Sequence, residues 1–139
     1  MKILHTLTAA GFLIVAPLLA LAQNEATITE APHISGGIGT EGMAEIAAQQ
    51  ASYNFKALFV RDPSGEYLAL VNIKIADAKG NILLETATDG PVLLAQLKPG
   101  KYTITATTSS DAKSVTKKIT VTKKLTETTF RFPPEVTGN

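Results

Sequence analysis

The chain contains no cysteine. That absence removes zinc–thiolate sites, thiol catalysis and redox switching together, and with them a lipid anchor through a cysteine. It also removes disulfide staples, so a stable fold must come from an apolar core. Histidine is nearly missing, with His5 and His33 the only two. An excess of charge is missing as well: 13 basic residues stand against 12 acidic ones. No basic stripe with interleaved aromatics runs along the chain, so no nucleic-acid partner is expected. The apolar run from Gly11 to Ala22, broken by Pro17, is too short to span a bilayer, which takes about 20 apolar residues.

That short run has another reading. Lys2 supplies a positive start, the apolar stretch follows, and Ala20-Leu21-Ala22 forms a small-x-small site before the polar Gln23-Asn24-Glu25. This is the layout of a secretory signal peptide. Cleavage after Ala22 is expected, which makes the protein periplasmic or secreted with no stable membrane span. Only Lys2 among the charged residues is then lost, so the exported chain is close to neutral. A domain of this size buries roughly two-thirds of the surface its unfolded chain exposes, enough for one core.

Residues 23–52 are expected to hold a Gly-rich lead-in and one short helix. The lead-in carries Pro32 and Ser35-Gly36-Gly37-Ile38-Gly39. Residues 41–51 favour a helix, with acidic residues near its start and Met43, Ile46, Ala47 and Gln50 on one face. From Tyr53 the period changes to two. Phe55, Ala57 and Phe59 alternate with Lys56 and Leu58, then Val71, Ile73 and Ile75 with Asn72 and Lys74, then Tyr102, Ile104 and Ala106 with Thr103, Thr105 and Thr107. Turn residues separate these runs at Asp62-Pro63-Ser64-Gly65, Asp77 to Asn81, Asp89-Gly90-Pro91, Pro99-Gly100 and Ser109-Ser110-Asp111. The apolar parity shifts between Val121 and Phe130, which places a turn or bulge near Lys123-Lys124-Leu125. About seven strands with hairpin-length connections read as an all-β, antiparallel seven-stranded β-sandwich over residues 53–133, with a C-terminal tail at 134–139.

Several motifs match catalytic patterns without their context. Gly37-Ile38-Gly39-Thr40-Glu41-Gly42 has the spacing of a dinucleotide loop, but no strand is expected before it and no βαβ unit surrounds it. A connector or a cap on one end of the sandwich is the simpler reading. Ser110 to Lys113 and Ser114 to Lys117 fit S-x-x-K, which serves acyl transfer only where Ser and Lys share a helical turn. Both fall on a hairpin tip or a strand. Asp62, Asp77, Asp89 and Asp111 sit in expected turns, where an aspartate caps local backbone N–H groups; they form no dense calcium ladder. No metal, cofactor or catalytic set is expected. The run from Thr116 to Lys124 is a strand bracketed by lysines. It reads as edge protection, or else as a cationic patch for glycans or lipid headgroups.

Two stretches carry a family resemblance. Leu94-Ala95-Gln96-Leu97-Lys98-Pro99-Gly100-Lys101-Tyr102-Thr103-Ile104-Thr105-Ala106, after Asp89-Gly90-Pro91, is similar to the L-x-P-G-x-Y signature of carboxypeptidase regulatory-like domains. Val71 to Ile75 with Asp77-Ala78-Lys79-Gly80 resembles the hairpin of the same family. The similarity covers roughly residues 53–132 and implies a transthyretin-like (prealbumin-like) seven-strand sandwich, a module that in most members is non-catalytic. The lead-in and helix resemble those of small, uncharacterised proteobacterial exported proteins. The related purine-catabolic hydrolase uses sandwich histidines and a Tyr-Arg-Gly-Ser tail. This chain ends Glu135-Val136-Thr137-Gly138-Asn139, so that activity does not carry over.

The expected function is a non-catalytic binding or interaction module of the cell envelope, its partner an envelope protein or a glycan. The alternative is a self-associating accessory subunit, a homo-oligomer built through sheet edges; a metal-dependent binder or enzyme is a third reading. Loops on a rigid sandwich are where function tends to sit. The candidate interaction residues are therefore Asp62, Ser64, Glu66, Asp89, Ser110 and Asp111, with the Gly36–Gly39 segment beside them.

Overall fold

Side chains alternate across each strand, and two sheets bury their apolar faces against each other. In the computed structural model, which describes residues 30–136, strands β1 (His33–Gly36), β2 (Phe55–Arg61), β3 (Glu66–Tyr67), β6 (Val92–Ala95) and β9 (Thr126–Phe132) form one sheet. Strands β4 (Val71–Asp77), β5 (Ile82–Ala87), β7 (Gly100–Thr108) and β8 (Ser114–Val121) form the other, in the order β5-β4-β7-β8. The core between them holds Phe55, Ala57 and Phe59 from β2, Ile73 and Ile75 from β4, Ile104 from β7, and Phe130 and Phe132 from β9. The rings of Phe59 and Phe130 pack with centroids 5.5 Å apart. The expected signal peptide over 1–22 and the end of the tail, 137–139, lie outside the described residues.

Three features depart from the expectation. There are nine strands among the described residues rather than seven. The extra ones are β1, which pairs antiparallel with β6 and so turns the lead-in into part of the sheet, and the two-residue β3. The sandwich is not wholly antiparallel either. β2 pairs in parallel with β9 from Phe55↔Thr126 to Arg61↔Phe132, along its whole length. On its other edge β2 shares its partners, β6 at residues 55–58 and β3 at residues 60 and 61.

The helix, α1 (Gly39–Gln49), begins two residues before the expected start and continues into a short 3-10 turn, Gln50–Ser52. It lies on the face of the β6 sheet turned away from the core. There Ile46 and Met43 pack on Val92, Leu94, Ile34 and Leu58. This explains why β6 is apolar at all four positions: Leu93 and Ala95 face the sandwich core, while Val92 and Leu94 face the helix.

The glycines allow this layer to close. A Cβ on Gly42 would sit 3.1 Å from the Gly37 carbonyl carbon, and one on Gly90 would sit 2.4 Å from the Gly36 oxygen. A strand does precede Gly37, contrary to the expectation from sequence. The glycines of Gly37-Ile38-Gly39-Thr40-Glu41-Gly42 serve helix–strand packing in an antiparallel sheet, without a βαβ unit.

Candidate functional site at the loop end

The loops that carry the candidate interaction residues lie at one end of the sandwich. β1, β2, β5, β7 and β9 finish there, and β4, β6 and β8 begin there. Loops 62–66, 88–91 and 109–113 are therefore neighbours. Cross-bonds through Leu70 tie the last two, and another ties the second to β1: Leu70 N–H donates to Thr88 O at 2.9 Å, Ser109 Oγ donates to Leu70 O at 2.5 Å, and Asp89 N–H donates to Ser35 Oγ at 2.9 Å.

At the centre is Arg61, which belongs to no sequence motif. Arg61 continues the inward parity of Phe55, Ala57 and Phe59, so its guanidinium enters the end of the core; its side chain is 7% exposed. A buried cation needs partners, and Arg61 has three. Nη1 donates to Asp111 Oδ2 at 3.1 Å and to Pro133 O at 2.8 Å, and Nη2 to Glu135 Oε1 at 3.4 Å. Asp111 also accepts the hydroxyl of buried Thr108 through Oδ1. That hydrogen bond first, then the charge of Arg61, holds the Asp111 carboxyl below its ordinary value despite opposing desolvation.

Around this pair the candidate residues fall into place. Asp62, Ser64, Glu66 and Ser110 line a shallow cavity of about 250 Å³ with Arg61 and Glu135. Asp62 Oδ1 accepts from Arg131 Nη1 at 3.1 Å, Ser110 Oγ donates to Glu135 Oε1 at 2.8 Å, and Ser64 Oγ accepts from Glu66 N–H at 3.2 Å. Asp89 is not in this group and stands beside β1. The arrangement clasps the 109–113 turn and the C-terminal segment to one buried guanidinium, with the 62–66 loop tied beside it through Asp62–Arg131 and the Arg61 carbonyl.

The same end carries an anomaly. Leu70 is 59% exposed and adopts φ +57°, in the left-handed region that costs a non-glycine residue about 1–2 kcal/mol. Its backbone bonds to Thr88 and Ser109 hold it there. The other large exposed apolar side chains among the described residues are Ile38, Tyr67 and Val136. They too are at this end: Ile38 follows β1, Tyr67 lies in β3 and Val136 follows the Arg61 clasp.

The remaining sequence motifs resolve structurally. Ser114 shares a 2.7 Å hydrogen bond with Thr107 across the exposed face of β7 and β8, while Lys117 turns the other way. Lys117 Nζ donates to Thr129 O at 2.5 Å and lies 5.3 Å from the centre of the Phe130 ring. β8 is an edge strand of its sheet. His33 Nδ1 is 2.9 Å from Ala31 O. Asp77 caps its own turn, its Oδ1 accepting from the N–H groups of Lys79 and Asn81, both at 2.9 Å. Among the described residues no three His, Asp or Glu side chains gather where they could hold one metal ion. No helix among them is long and apolar enough to cross a membrane.

No model of a known protein family and no curated protein sequence matches this chain.

Proposed function

We propose that the chain is an exported, non-catalytic binding module of the cell envelope, and that it engages a partner protein with the loop end of its sandwich. One observation carries the reading: the large exposed apolar side chains of residues 30–136 collect at that end, and Leu70 among them is held out in a strained backbone conformation. A left-handed leucine that buries little surface costs stability, and such strain persists mainly where it serves a site. Contiguous exposed apolar groups mark interaction sites, and Tyr67 and Leu70 stand three residues apart at this end. The Arg61 clasp keeps the flanking loops rigid, which lowers the entropy lost on binding.

Export rests on the layout of residues 1–22, and the assignment of residues 53–133 to the carboxypeptidase regulatory-like domains rests on the turn and strand from Leu97 to Ala106. Both belong to the proposal. Export is tested by fractionation and N-terminal sequencing: a chain beginning at Gln23 in the envelope fraction is expected, and a full-length chain kept in the cytoplasm contradicts it.

The binding site is tested by photo-crosslinking in living cells with a reactive residue at position 67 or 70, against position 105 on the exposed face of β7. A discrete protein adduct from 67 and 70 alone supports the loop end. No adduct from either, or an equal adduct from 105, overturns it.

A further inference from the structure

Near-neutrality of the whole chain conceals a separation of charge. At the end opposite the loops just described lie the 77–81 turn, the 96–99 loop and the 122–125 bend. Buried Asn54 joins the last two, donating to Leu97 O and Thr122 O, and the Tyr102 hydroxyl joins the 96–99 loop to β7 by donating to Lys98 O at 2.5 Å. This end presents six lysines, Lys79, Lys98, Lys101, Lys118, Lys123 and Lys124, all exposed. None is in an ion pair among the described residues, where the pairs involve Lys56, Arg61 and Arg131. Against the six stand Glu30 and Asp77, and the Asp77 carboxylate is taken up by its own turn. Glu127 is paired with Lys56. The acids Asp62, Glu66, Asp89, Asp111 and Glu135 are at the other end, where the only cations among the described residues are Arg61, Lys113 and Arg131, and Arg61 and Arg131 are taken up in ion pairs there.

A surface of one sign concentrates ligands of the other, whatever the net charge. The lysines also have a seat to work over. A shallow concavity of about 690 Å³ over β7, β8 and the start of the 77–81 turn is lined by Lys101, Lys118, Thr103 and Thr120, with Asp77 on its rim, where that carboxylate is already held by the N–H groups of Lys79 and Asn81. The strand register sets Lys101 opposite Thr120 and Lys118 opposite Thr103, so ammonium and hydroxyl groups alternate across it. Tyr102 is buried beneath and offers no stacking face, which disfavours single-stranded nucleic acid. The large exposed apolar side chains are at the far end, which disfavours insertion into a bilayer. What remains is a ligand with repeated negative charge and many hydroxyl groups.

We infer that the lysine end is a binding surface for an anionic polysaccharide, with Lys101, Lys118, Lys123 and Lys124 meeting its charged groups and Thr103 and Thr120 its hydroxyls. The surface is separate from the loop end, so the two could be occupied together and the module would link a protein to a polysaccharide.

The test uses the chain purified from the cells that make it, with polygalacturonate and heparin as probes for carboxylated and sulfated polymers, followed by calorimetry over a salt series. Binding that weakens steadily with the logarithm of salt concentration is expected. The pairs Lys101→Glu with Lys118→Glu, and Lys123→Glu with Lys124→Glu, should each weaken it at least about tenfold with little change in melting temperature. Lys74→Glu, on the same face but beside Glu85 in the register, should weaken it less than either pair. Absence of binding to both polymers, or binding indifferent to the lysine pairs, overturns the inference. Tighter binding to single-stranded DNA or to phosphatidylglycerol vesicles than to either polymer overturns the polysaccharide assignment. Substitution of Leu70 should leave polymer binding unchanged, so failure here and failure of the loop-end reading are told apart.

Discussion

Asn54 binds Leu97 as one strand binds another: its Nδ2 donates to Leu97 O at 2.6 Å, and its Oδ1 accepts from Leu97 N–H at 2.8 Å. Both residues are buried. A second donation from Nδ2 reaches Thr122 O at 3.1 Å. One amide thus satisfies backbone groups in two loops that cross between the sheets.

Asn54→Ala should therefore be far worse than a surface change. It strands the Leu97 N–H and carbonyl in the core, at about 2–4 kcal/mol in total, and should lower the melting temperature by roughly 6–24 °C. Asn54→Asp has a distinct signature. Its carboxylate would face the Leu97 and Thr122 carbonyls, raising its pKa in the folded state. This variant should gain stability as pH falls through that raised value, which thermal melts across the acid range would detect.

The Arg61–Asp111 pair predicts the opposite pH dependence. The folded-state pKa of Asp111 is depressed, so its contribution is present above the unfolded value, about 3.9, and is lost as pH falls toward the folded one. Asp111→Asn should be less stable than the parent at neutral pH, with a shallower loss of stability below about pH 4. Chemical denaturation at a series of pH values reads both. Glu135→Gln, at a half-exposed partner, should cost less than about 1 kcal/mol.

Gly90→Ala puts a methyl group into the backbone of Gly36, at 2.4 Å from its oxygen. Neither chain can move without tearing β1 from β6, so a loss of about 3 kcal/mol or more is expected. Gly42→Ala, whose nearest contact is 3.1 Å, should cost less because a helix can shift by a few tenths of an ångström. The ranking, read from melting temperatures, is the prediction.

Lys117 bears on self-association. It points inward from an edge strand and occupies the Thr129 carbonyl of β9. An inward-pointing charge on an edge strand is a known guard against edge-to-edge pairing. Lys117→Met keeps the length and removes the charge. Sedimentation of this variant should show association at concentrations where the parent is monomeric. A parent that already associates would favour the accessory-subunit reading instead.

Much of the sandwich is legible in residue order because a strand's two faces alternate. Tyr102, Ile104 and Ala106 turn in while Thr103, Thr105 and Thr107 are only partly covered, as the period requires. The parity shift after Val121 marks where the chain crosses from β8 to β9. The parallel pairing of β2 with β9 is not legible, because it joins segments about seventy residues apart with no local turn chemistry to announce it. β1 is missed for another reason: His33-Ile34-Ser35-Gly36 has weak strand propensity and is a strand because β6 and α1 hold it. Turn residues mark the loop end in the sequence, and the fold brings five of the six candidates around Arg61. Arg61 itself was readable from parity alone, since it falls on the same face as Phe59. Leu70 carried no signal, because its strain is a property of backbone geometry.

The most direct test of the loop-end reading is the melting temperature of Leu70→Asn. Asparagine tolerates the left-handed conformation, and the leucine side chain buries little. If Leu70 is held out for a partner at the expense of the fold, this variant should melt a few degrees higher than the parent, by roughly 3–6 °C for about 1 kcal/mol, and give no crosslink from position 67. A melting temperature lowered by a similar amount would mean that Leu70 supports the fold, and would contradict the reading.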